Sequence, residues 1–128
     1  MSFVIWQKWL MSLENEQDRV RGELKESETE EGFSYFYGYF VVINRYHSYL
    51  DMSEKLREWE VFFEKDKILE KIKEQAEKGV ERERRVLEKL ADPADKLEEE
   101  ADVMIHKGEK DAYIKILDIY EDIVKLPH

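Results

Sequence analysis

The sequence contains no cysteine at all. That absence removes disulfides, thiolate nucleophiles and cysteine-based zinc sites, and leaves the redox compartment unread. Only five glycines and two prolines occur, and no glycines cluster into a loop able to cradle a phosphate. No serine lies in a Gly-x-Ser-x-Gly turn. The three histidines form no His-Glu-x-x-His pair, and none stands three residues after a glutamate as di-iron bundles require. Long apolar runs are missing too. The uncharged stretch 32 to 44 is too short to cross ~30 Å of hydrocarbon as a helix, and Arg45 and His47 follow at once.

Basic residues are in short supply, with 21 Lys and Arg against 31 Asp and Glu and a net charge of −10. Direct binding to nucleic acid needs clustered cations, so it is not expected. The excess of acid favours solubility and suits a basic protein partner better than an acidic one. The N-terminal MSFVIWQKWLMSL is apolar but lacks a basic leader and a small-residue cleavage site, so a cytoplasmic location is expected. Asn and Gln are scarce and Glu and Lys abundant, a bias that resembles thermophilic proteins. At 128 residues, one domain over 1–128 with an unstapled core is expected.

What is present is helical spacing. Residues 33 to 50, FSYFYGYFVVINRYHSYL, load both faces if read as a strand but sort into two stripes if read as a helix. Phe33, Phe36, Phe40, Ile43, His47 and Leu50 form one stripe; Tyr35, Tyr39, Val42, Tyr46 and Tyr49 form the other. Ser34, Tyr37, Gly38, Val41, Asn44, Arg45 and Ser48 fill the wedge between them. A helix apolar on two sides belongs in the middle of a bundle. Phenylalanine can be dry, whereas a tyrosine hydroxyl needs a partner, so the tyrosine stripe is expected at a boundary or an interface.

The rest of the chain follows the same period. Phe3, Trp6, Leu10, Leu13, Gln17, Val20 and Leu24 predict a first helix over 3 to 26, and Glu26 to Gly32 reads as a loop. Asp51 with Glu54 reads as the cap of a further helix through Met52, Leu56, Trp59 and Phe63. The rhythm slips near Asp66, then resumes as a narrow seam of Leu69, Ile72, Ala76, Gly79, Glu83, Val86 and Leu90. Asp92-Pro93 marks a boundary; a helix over 93 to 107 closed by Gly108 follows, then another from about 110 carrying Tyr113, Ile116, Tyr120 and Ile123. The expected fold is an all-α bundle of four or five helices around the aromatic-rich helix at 33–50.

Chemistry is thin. His128 is terminal, and His47 lies in the phenylalanine stripe as a core histidine would. Glu99, Asp102 and His106 share one helical face and are the candidate metal ligands. No catalytic constellation stands out and no cofactor is implied. The leading expectation is therefore a non-enzymatic protein–protein interaction module: a helical adaptor, assembly subunit or inhibitor. Its candidate interface comprises Leu69, Ile72, Ala76, Gly79, Val86 and Leu90, a seam suited to a homodimer, together with Tyr35, Tyr39, Tyr46 and Tyr49. One alternative is an acidic nucleic-acid mimic that inhibits a basic protein, using residues 14 to 31 and Glu98 to Asp102. The other is a metal or small-molecule site at Glu99, Asp102 and His106.

Overall fold

A computed structural model of the protein describes residues 3–56, 64–91 and 100–125. They form four α-helices: α1 (Phe3–Glu26), α2 (Glu30–Leu56), α3 (Glu64–Leu90) and α4 (Glu100–Val124). No strand occurs among the described residues, and the all-α bundle expected from the spacing is what forms.

α1 buries the face its spacing marked. Trp6, Trp9, Leu13, Gln17 and Val20 are all inside, and Gln17 Nε2 donates to Asn44 Oδ1 on α2. Ser27 Oγ donates to the Glu23 carbonyl at the end of α1, satisfying an acceptor the last turn leaves open. Thr29 caps α2: its Oγ1 accepts from the Gly32 amide at 3.0 Å, and Glu30 and Glu31 place negative charge in the first turn. The expected loop thus shortens to residues 27–29, because a threonine cap starts the helix before the acidic run ends.

Two other expected boundaries are not boundaries. Asp51 does not start a helix, since α2 runs through it to Leu56. Gly108 does not end one either, since α4 passes through it. Trp59, Phe63, Pro93 and Glu98 lie outside the described residues, as does the first half of the helix expected over 93–107.

Gly108 serves packing instead. A methyl built on it would run into the carbonyl oxygen of Tyr35 and lie 2.9 Å from the Tyr39 amide nitrogen. One built on Gly38 would run into the carbonyl oxygen of Ile105 and lie 2.9 Å from its carbon. Each glycine therefore lets the backbone of the other helix come closer than any side chain allows. Gly79 on α3 makes room in the same way for the Tyr113 ring, whose atoms lie 2.7 Å from where its Cβ would be.

These contacts decide the arrangement. α4 packs on all three other helices and most extensively on α2. Along α3 and α4, Glu70 meets Tyr120 and Glu83 meets His106, so the two run in opposite directions. α1 is likewise opposed to α4, with Trp9 against Tyr120 and Glu16 near Lys115. The short α1–α2 connection opposes those two helices as well. α2 and α4 therefore run the same way, side by side, flanked by α1 and α3. Spacing put residues 33–50 at the centre of the bundle; among the described residues it is α4 that packs on all three other helices, with α2 between α1 and α4.

Close approach at Gly38 also redistributes burial on α2. Ser34 and Gly38, assigned above to the wedge, are buried, Gly38 against the α4 backbone at Ile105. Tyr39, Val42 and Tyr46 are drawn inside with them, while Phe33 is left outside. The phenylalanine stripe is thus the wetter of the two, opposite to what ring chemistry alone suggested. Among the described residues, no helix is long and apolar enough to cross a membrane.

Candidate functional site

Four tyrosine hydroxyls tie one helix to another, two of them from part-buried positions. Tyr39 donates to Glu16 Oε2 at 2.6 Å, Tyr46 to Gln75 Oε1 at 3.3 Å, Tyr35 to Asp111 and Tyr120 to Glu70. Every one of these acceptors is on another helix, so each hydroxyl joins two elements while losing little on burial. Burial pushes Tyr39 up, and the Glu16 carboxylate beside it pushes the same way.

The densest polar cluster lies where α3 meets α4. Glu83 occupies an apolar position of the α3 seam, one turn after Gly79, and is only 3% exposed. His106 and Glu109 stand three apart on α4, a spacing that puts both on one helical face. His106 Nδ1 lies 2.7 Å from Glu83 Oε2. With a carboxylate opposite, that nitrogen carries the proton and donates. One donor atom from each of Glu83, His106 and Glu109 lies within 4.8 Å of the others. Burial pushes the Glu109 carboxyl up to about 7, and the hydrogen bond and charge of Glu83 add to the shift. His106 and Arg45 pull it back less strongly. Two carboxylates in contact cannot both stay ionised without a cation between or beside them.

The guanidiniums nearby are otherwise engaged. Arg82 Nη2 donates to Tyr113 Oη at 2.9 Å and Arg45 Nη1 to the same oxygen at 3.2 Å, while Arg82 also lies over the Tyr113 ring. Among the described residues Glu83 makes its one ion pair with His106, 30% of whose side chain remains open to solvent.

His106 thus reaches a carboxylate, but from α3. Asp102 is exposed on α4 outside this cluster, and Glu99 lies outside the described residues. The sequence marks the cluster by a glutamate in an otherwise uncharged seam, read above, and by the His106-x-x-Glu109 spacing, which was missed in favour of Glu99 and Asp102. Neither says that the two face each other.

The candidate interface residues are divided. Leu69, Ile72 and Ala76 are buried in the chain's own core, and Gly79 is buried under Tyr113. Val86 and Leu90 are half-buried. Tyr39 and Tyr46 are buried, Tyr35 is half-buried, and Tyr49 is exposed. In the acidic run, Glu16 and Asp18 pair with Arg19 and Arg21 at 3.0 and 3.2 Å, so part of its charge is answered locally.

A second surface feature had no forewarning in the spacing. Phe33 and Tyr37, 49% and 48% exposed, lie one turn apart on α2 with their rings stacked at 6.3 Å. Val41, half-buried, continues the row, and Tyr49 and Met52 are exposed further along the same helix. Compared with protein-family models, curated proteins and solved structures, the chain matches none.

Proposed function

We propose that this chain is a non-enzymatic interaction module that docks another protein on the outer face of α2. The supporting observation is the stacked, half-exposed Phe33–Tyr37 pair. Aromatic residues and methionine are enriched at the buried centres of protein interfaces, and large apolar side chains grouped on one helix mark such places. A ring of this kind covers roughly 200 Å² in full, so the two leave about 200 Å² in water between them. At ~25 cal/mol per Å², covering that area is worth about 5 kcal/mol before the costs of association. Arg and Lys are sparse on this stretch, which fits apolar docking better than charge steering.

Native co-purification, with the mass of the complex measured by light scattering, tests the proposal. A protein recovered in fixed stoichiometry and retained in high salt is the expected result. Release of that protein by moderate salt would instead favour the acidic-mimic alternative, since exposed charges are screened within about 8–10 Å. A chain that purifies alone as a monomer from every fraction would refute docking altogether.

A further inference from the structure

We infer that Glu83, His106 and Glu109 form a binding site for a single divalent transition cation, which ties α3 to α4. The ligand set is one imidazole and two carboxylates, drawn from two helices that the Gly79–Tyr113 contact already holds in register. Zinc, manganese, iron(II) and cobalt accept that mixture of nitrogen and oxygen, whereas calcium and magnesium select all-oxygen sets. Three protein ligands leave room for water on the metal, and the open side of His106 gives the ion a way in.

Charge makes the case beyond proximity. Glu83 is almost wholly buried, and an ionised carboxylate there is costly unless a cation answers it. Arg82 and Arg45, the permanent cations nearby, direct hydrogen bonds to Tyr113 rather than to Glu83. Among the described residues the ion pair of Glu83 is with His106, which is a cation only when protonated. A divalent ion would take the place of the proton that His106 and Glu83 share and answer both glutamates at once. Zinc would displace that proton, so binding weakens as the pH falls.

The test uses tag-free full-length protein, stripped with chelator and then dialysed against cobalt(II), zinc or manganese near neutral pH. The expected result is one cobalt per chain, with visible absorption bands of a nitrogen- and oxygen-ligated ion that zinc abolishes, and a raised Tm. His106→Gln, a change at a partly open position, should keep the helical circular dichroism and weaken binding by about tenfold or more. Glu83→Gln should do the same, with His106→Gln standing in if that buried change unfolds the chain. Retention of under about a tenth of an equivalent of every metal would overturn the inference, because a built site binds far more tightly than that. Binding that persists unchanged in His106→Gln would overturn it too, by assigning the metal to surface carboxylates.

Discussion

Replacing glycine by alanine in a helix interior normally stabilises it by about 1 kcal/mol, and here the sign should depend on which glycine is changed. Gly22 lies within α1 with nothing within 4 Å of where its Cβ would be, so Gly22→Ala should stabilise by about 0.5–1 kcal/mol. Gly38 and Gly108 face backbone atoms of the partner helix, which no rotamer change can move. An added methyl needs about 3.5 Å to a neighbouring carbon, so α2 and α4 would have to part by roughly 1 Å. Overpacking of that kind costs about 1–3 kcal/mol, and backbone against backbone belongs at the upper end. After the gain in helix propensity, each change should destabilise by about 2 kcal/mol. The double variant should cost less than the sum, since one separation of the helices relieves both clashes. Gly79→Ala should fall between, because the obstacle there is the Tyr113 ring, a side chain but a buried one. Urea unfolding followed by far-ultraviolet circular dichroism gives all five values. Gly38→Ala and Gly108→Ala proteins as stable as the parent would refute the close α2–α4 contact.

Other predictions follow from the interior. Ile72→Ala should cost about 2–5 kcal/mol, as for a fully buried aliphatic chain, because this part of the α3 seam is filled by the protein's own core; calorimetric unfolding would show it, and a loss below 1 kcal/mol would contradict the packing. Tyr35, Tyr39, Tyr46 and Tyr120 should ionise late in an ultraviolet titration. Tyr35 is pushed up to about 12 by burial and by Asp111, and Tyr120 to about 12 by its bond to Glu70. Their folded values exceed the unfolded ones, so this stabilisation is complete below pH ~10 and fades as pH rises through the folded values. At the acid end the sign reverses for Glu16: burial alone would raise its carboxyl, but the bonds from Arg19 and Tyr39 outweigh that and lower it. Its contribution is present above the ordinary 4.5 and lost as pH falls through the lowered value, so Glu16→Gln should flatten the acid limb of a stability–pH curve.

How much of this was legible depended on whether the signal was local. The α1 stripe with its buried Gln17, and the stripe of Tyr113, Ile116 and Ile123 on α4, could be read from period alone. Glycine could not. A helix-closing glycine and one that admits a neighbouring backbone look the same in one dimension, which is why Gly108 suggested an end and Gly38 a polar wedge. Asp51 misled for a similar reason, since a cap residue and an ordinary acid on a helix face share a letter. At the cluster, Glu83 was visible as a charge in an apolar seam, but its partners sit 23 and 26 residues away on α4. Only the α3–α4 register brings them together.

The docking surface can be tested where it is claimed to lie. Phe33→Ser combined with Tyr37→Ser removes the stacked pair; about half of each ring packs on the protein, so the loss of stability has an upper bound of about 5 kcal/mol, and far-ultraviolet circular dichroism must show the variant still folded. Parent and double variant, expressed at equal levels in the source cells and purified side by side, are then compared by quantitative mass spectrometry of what accompanies each. A stoichiometric protein should accompany the parent and fall at least about tenfold with the variant, the equivalent of ~1.4 kcal/mol. Equal recovery with both proteins would place any docking surface elsewhere than Phe33 and Tyr37.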